Sequence, residues 1–254
     1  MSTGHLLTRN GYQSMSKKYG VLITSAVNAK FSEYNPKERL AQTLETIASI
    51  QSRIPNSVIC LTESSIPGVD DETKSILSTQ VHNMIDLSKD STINWIHQNI
   101  QHQDTVKNLS ELILTTKFFK VARKQEWFKN CDRIFKVSGR YTLNDKFDIS
   151  KYDTDALKDK FVFKKKILSQ FPFEVTKQSL QHSSRCYSLD VSLLDYYIET
   201  LDKMTQFMED RCNNNAYIDI EHLLCKFIPD NKKIEFGRIG ISGNIAPNKT
   251  FIED

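Results

Sequence analysis

Residues 19–65, YGVLITSAVNAKFSEYNPKERLAQTLETIASIQSRIPNSVICLTESS, decide the fold. The apolar run VLITSAV (21–27) has the unbroken pattern of a strand covered on both faces, and Thr24, Ser25 and Asn28 follow at its end. Asn35, Pro36 and Glu38 then spell a helix start: a capping amide, a first-turn proline and an acid three residues on. Leu40, Leu44, Ile47, Ile50 and Ile54 recur at helical spacing until Pro55-Asn56 ends the run. A second strand, SVICL (57–61), leads into Thr62-Glu63. Strand, helix, strand in this order is a crossover unit, and it predicts a parallel sheet with helices packed against it.

Working outward, residues 131–148, CDRIFKVSGRYTLNDKFD, place a short apolar strand (Ile134, Phe135, Val137) directly before a polar cluster, Ser138, Gly139, Arg140 and Tyr141. Open α/β sheets bind ligands where their strands end. Gly139 would admit a ligand close to the backbone, and Arg140 offers a planar fork for phosphate or carboxylate. Glu63, at the tip of the second strand, could accept hydrogen bonds from a ribose or a base. Thr24 and Ser25 offer hydroxyls at the same edge.

The remaining segments are expected as follows. Residues 1–18 read as a loose arm, with the folded domain spanning 19–254. A helix is expected over 72–88, a loop or short helical lid over 89–107, and a helix over 109–129 whose Lys117, Lys120 and Lys124 form one cationic stripe. One of these lysines, Lys117 foremost, is a candidate for contact with a diphosphate. Segments 161–167 and 183–190 read as strands, and 191–210 as an amphipathic helix. A further helix begins near Tyr217, with Asp219 and Glu221 at its amino end, where the helix dipole favours carboxylates. The tail is extended and expected to fold back across the sheet edge.

Composition excludes several classes. A net charge of +3 on 254 residues is too small for a dedicated nucleic-acid binder. Five cysteines, with no CxxC pair, describe reduced thiols and not a disulfide frame or a zinc site. No apolar run approaches the roughly 20 residues of a membrane span. The chain therefore reads as cytoplasmic. No GxGxxG, GxxxxGK[ST] or GxSxG occurs, and residues 24–34 hold no glycine, so dinucleotide-binding, P-loop, hydrolase-elbow and methyltransferase turns are not written here.

Four blocks, LITSAVNAKFSEYNPKERLAQTLETIASIQSRIP, NSVICLTESS, DRIFKVSGRYTLNDKFD and IGISGNIAPNKTFIED, occur in order from end to end. Together they resemble the small GT-A-type glycosyltransferases of bacterial surface-glycan clusters and some viruses. That resemblance implies a Rossmann-like, mostly parallel sheet flanked by helices in a single domain. It also implies a nucleotide-sugar donor at the carboxyl edge of the sheet and a glycan or lipid-linked acceptor held by the C-terminal part. In that fold class a D-x-D motif after the central strand holds a divalent metal, Mn or Mg, against the diphosphate. Here the position reads Ser138-Gly139-Arg140, and the nearest acids are Asp145 and Asp148. Three outcomes follow: Asp145 serves the metal from the loop, Arg140 and a lysine neutralise the diphosphate without metal, or the chain binds nucleotide and sugar without catalysis. For transfer, Glu221, with Asp219 as second choice, is the candidate base, and Arg140 the group that stabilises the leaving diphosphate.

Overall fold

In the computed structural model, residues 17–245 and 249–254 are described. The expected arm over 1–18 therefore lies outside the described residues as far as residue 16. Its last residue is fastened, since the Lys18 N–H donates to Asp132 Oδ2 at 2.7 Å.

The crossover unit forms as the sequence dictates. β1 (Tyr19–Ser25) is buried at every position, and α1 (Pro36–Arg53) follows it. Asn35 Oδ1 accepts from the Glu38 N–H at 3.0 Å while Glu38 Oε2 accepts from the Asn35 N–H at 2.8 Å, closing the capping box. β2 (Val58–Glu63) then pairs parallel with β1, setting Thr24 opposite Thr62 and Ser25 opposite Glu63.

The segment expected as one helix over 72–88 divides. α2 (Asp71–Gln80) is capped by Asp70, and the chain then turns into a short edge strand, β3 (Asn83–Asp86), parallel to β2. Residues 89–107 are more ordered than a loop. α3 (Ser91–Asn99) is capped by Asp90, and α4 (Gln103–Lys124) starts six residues earlier than its apolar period suggests, with His102 at its cap. β4 (Arg133–Ser138) returns through the centre, pairing parallel with β1 so that Thr24 faces Ser138.

After β5 (Tyr141–Leu143), two short 3-10 turns lead to β6 (Phe161–Lys164). The β7 (Ile167–Leu168) and β8 (Leu180–Gln181) pair brackets the single turn α5 (Phe173–Thr176). β9 (Cys186–Asp190) is antiparallel to both β4 and β6. α6 (Leu194–Asn213) and α7 (Ile220–Phe227) follow. The tail supplies β10 (Lys233–Phe236), β11 (Ile241–Asn244) and β12 (Phe251–Glu253).

The main sheet has seven strands in the order β10-β6-β9-β4-β1-β2-β3, and only β9 runs against the rest. Strand pleating sends alternate residues to opposite faces. Leu22, Cys60 and Ile134 therefore face a core shared with α3, α4, α6 and α7, while Val21, Ile23, Phe135 and Val137 face a second core under α1 and the C-terminal segments. β10 extends the edge of the main sheet beside β6, whereas β11 pairs antiparallel with β5 and β12 in a separate three-stranded sheet, so only the first residues of the expected extended tail run along the main-sheet edge.

Among the described residues no helix is long and apolar enough to cross a membrane, and all five cysteines are free.

Candidate donor cleft

A cleft of about 160 Å³ opens where β1 and β4 end. Thr24, Ser25 and Ser138 form its floor, the 26–32 loop one side, and Lys107, Ser110, Glu111 and Leu114 of α4 the other. These α4 positions are spaced i, i+3, i+4 and i+7, one face of a helix. Topology explains why the early turns of α4 are used. The helix must run from the carboxyl edge back to the amino edge to enter β4, so its beginning lies beside the strand tips.

The lining is cationic. Lys30, Arg39, Lys107 and Arg140 all reach it, and its one carboxylate, Glu111, is held by Lys136 Nζ at 2.5 Å. Among the described residues none of those four cations has a carboxylate within ion-pair distance. Arg39 is buried, and its guanidinium donates only to neutral oxygens, Ala26 O at 3.0 and 3.2 Å and Gln42 Oε1 at 3.5 Å. Burial and then the neighbouring Arg140 charge pull its pKa down to about 10. Lys107 is also lowered, first by burial, with Arg140 adding to the effect against Asp104. The His97 imidazole, another lining group, is lowered by burial and by Lys30. Arg140 itself packs over the Tyr141 ring, 5.6 Å from its centroid.

Behind Glu111 lies a buried polar chain. Lys136 Nζ also donates to Ser138 Oγ at 2.9 Å and to the Ser184 carbonyl at 3.0 Å. The Ser184 hydroxyl in turn donates to Glu221 Oε1. Desolvation, followed by the charges of Asp219 and Glu111, raises the Glu221 carboxyl to about 7.

Thr24, Ser25, Ser138 and Arg140 thus meet at one cleft, as their positions at the strand ends suggest. Other candidates stand elsewhere. Lys117 sits on the same face of α4 as Ser110 but two turns, about 10 Å, further along, where it pairs with Asp90. Beside Gly139 the space is filled by protein and not left for a ligand: an added Cβ would lie 3.1 Å from the Thr24 carbonyl and 3.3 Å from Thr43 Oγ1. Tyr141 is buried, and its hydroxyl accepts from Arg185 Nε at 3.2 Å. Glu63 is fully buried; its Oε1 accepts from the N–H groups of Val27 and Ser65 and ties the 26–28 loop to β2, while Oε2 has no partner among the described residues. Asp219 caps α7, accepting from the His222 N–H at 2.9 Å and contacting the His222 ring at Nδ1. Glu221 is partly buried behind the cleft wall and does not line it.

Asp145 is exposed on the turn after β5 and absent from the cleft lining. Among the described residues no group of three or more His, Cys, Asp or Glu side chains is placed to hold a metal ion. The donor set at the β4 tip is hydroxyl and guanidinium, and it does not fit a divalent cation.

Several lining residues escape a reading by apolar period. Arg39 is a polar interruption on the inner face of α1, and Lys107 and Glu111 lie in a stretch read as lid and helix start. Lys136 carried a visible signal, a lysine inside a strand covered on both faces.

Comparison with solved structures settles the architecture. The galactosyltransferase LgtC, in complex with donor and acceptor sugar analogues, superposes with a TM-score of 0.51 at 11% identity, over 85% of this chain and 72% of that one. Core-mannan synthase A of Aspergillus fumigatus, in its Mn/GDP form, gives 0.51 at 12% identity over 96% and 81%. The fold is that of the GT-A glycosyltransferases. In sequence, no protein-family model and no curated protein matches the chain.

Proposed function

We propose that this GT-A chain is a glycosyltransferase that moves a sugar from a nucleotide-sugar donor to a hydroxyl of a glycan or lipid-linked acceptor. One observation carries the reading: the cleft at the carboxyl edge is lined by four cations and a single, already paired carboxylate. Such a lining suits an anion bearing phosphate or carboxylate groups, and a diphosphate matches its several cations. LgtC with its sugar analogues and the mannan synthase with Mn and GDP lend support through their shared fold.

In the proposed reaction the acceptor oxygen bonds to the anomeric carbon, the bond from that carbon to phosphate breaks, and the nucleoside diphosphate leaves with the electron pair. Arg140 bears the charge that develops on the leaving group. The acceptor's proton passes to a carboxylate, and two compete for it. Glu111 has the position, since it lines the cleft. Glu221 has the protonation behaviour, with a carboxyl raised to about 7 by burial. Geometry comes first in choosing a base, and Glu111 takes the role in our reading. Glu111→Gln should then abolish transfer while sparing donor binding, and Glu221→Gln should retain transfer. The reverse pattern gives the role to Glu221.

The reading as a whole is tested by a thermal-shift screen against UDP-, GDP-, dTDP- and CMP-sugars. One nucleotide class should raise the melting temperature; a flat response across all four would overturn the donor site. The second reading, a non-catalytic sugar-nucleotide binder, is motivated by the lack, among the described residues, of a His, Cys, Asp or Glu cluster that could hold a metal. It is separated by assaying donor hydrolysis, which a binder does not perform.

A further inference from the structure

We propose that Arg39, Lys107 and Arg140 together replace the divalent cation, so that the cleft takes its diphosphate ligand as a metal-free anion site. This rests on the donor-cleft reading above and adds to it two residues and a charge mechanism.

The acids are all accounted for. Residues 1–16 and 246–248 contain no Asp or Glu, so every carboxylate side chain of the chain lies among the described residues. Of these only Glu111 lines the cleft, and its charge is balanced by Lys136, whose side chain is 2% exposed. Magnesium sites of this kind normally use one or two carboxylates together with the substrate's phosphates. Here a dication would find one carboxylate, already neutralised, and several like charges around it.

The cations are placed for the opposite task. They come from three separate elements, α1, α4 and the turn between β4 and β5, and so surround the space between them. Arg39 is the most telling. At 8% exposure the residue is largely withdrawn from bulk solvent, and carbonyl and amide oxygens are its guanidinium's only hydrogen-bonding partners among the described residues. Among the described residues no carboxylate is in contact with this charge, and Glu63 acts on it only from beyond ion-pair distance; a buried charge without a close partner costs up to several kcal/mol, and a bound anion supplies one. Arg140 depresses both Arg39 and Lys107, which places the three within one another's field. A diphosphate entering that field relieves the repulsion; a metal ion would add to it.

The test is calorimetric titration of the intact chain with UDP, GDP and inorganic pyrophosphate, in excess EDTA and again in excess Mn²⁺. Affinity for at least one nucleotide should agree within about twofold between the two buffers and fall as salt rises. Lys107→Gln and Arg140→Ala should each weaken binding in EDTA about tenfold or more, the scale of a charge-assisted hydrogen bond. Circular dichroism checks that both variants are folded, and Arg39→Ala is added only if it folds. Binding abolished by EDTA and restored by Mn²⁺, or binding unchanged in both variants, overturns the proposal. If pyrophosphate binds in EDTA and the variants weaken it, but no nucleotide binds, the cation site stands and the donor reading falls. If nothing binds in either buffer, both fall.

Discussion

Replacing Lys136 by Met tests the polar chain behind the cleft while nearly conserving side-chain volume. In the native protein its ammonium lies 2.5 Å from Glu111 Oε1, 2.9 Å from Ser138 Oγ and 3.0 Å from the Ser184 carbonyl. Breaking a fully buried pair by removing one partner costs about 3–5 kcal/mol. The Glu111 side chain keeps 31% of its surface in water. Partial rehydration of its carboxylate therefore lowers the expected loss to about 2–3 kcal/mol. For a domain of this size that is a fall of roughly 4–12 °C in melting temperature. Urea unfolding of the wild type, Lys136→Met, Glu111→Gln and the double variant gives the coupling. The double variant should recover about 1 kcal/mol or more of the single variant's loss, because it no longer leaves a stranded carboxylate. A loss under about 0.5 kcal/mol, or no recovery in the double variant, would refute the view that this lysine is held by its charge.

Gly240 has φ of +91°, and an added Cβ would lie 2.2 Å from the Phe147 nitrogen, so Gly240→Ala should destabilise by about 3 kcal/mol or more; a melting curve within a degree of wild type would contradict this. Asn35→Ala removes the cap of α1 and should cost about 1 kcal/mol by denaturant midpoint, with little change expected if the box were ornamental. Glu221 gives a pH dependence. Its folded carboxyl is raised from 4.5 to about 7, so the native state holds its proton where the unfolded chain has lost it. Its contribution to stability therefore falls as pH rises from about 4.5 to 7. Glu221→Gln should gain on the wild type between pH 5 and pH 8; parallel stability curves would rule that out.

The crossover unit was legible because each of its parts has a local cause: β-branched runs for the strands, a capping amide and a proline for the helix, and Pro55 to end it. The division of 72–88 was not, since Val81, Met84 and Ile85 suit an edge strand as readily as a helical face. α4 hid its start for another reason. Sheet, α3 and α6 pack around it, so buried residues fall on most of its faces and no clean stripe marks the first turn. At the site, the strand tips identified Thr24, Ser25, Ser138 and Arg140, because the end of a strand follows from sequence. Which helix faces come to those tips does not, and Arg39, Lys107 and Glu111 depended on it. Tyr141 shows the converse: a side chain with suitable chemistry whose burial and distant partner, Arg185, only tertiary packing reveals, whereas the capping role of Asp219 was already written in its place at the start of α7.

One consequence follows from the reversed direction of β9. Because it enters the sheet at the edge where β1 and β4 leave it, the Arg185 carbonyl accepts the Ser138 N–H, and the residues before the strand, not those after it, lie beside the β4 tip. The hairpin that precedes them, 165–182, is an excursion anchored at both ends. Because none of its residues lines the cleft, this excursion can change in length and sequence without altering the lining at the strand tips.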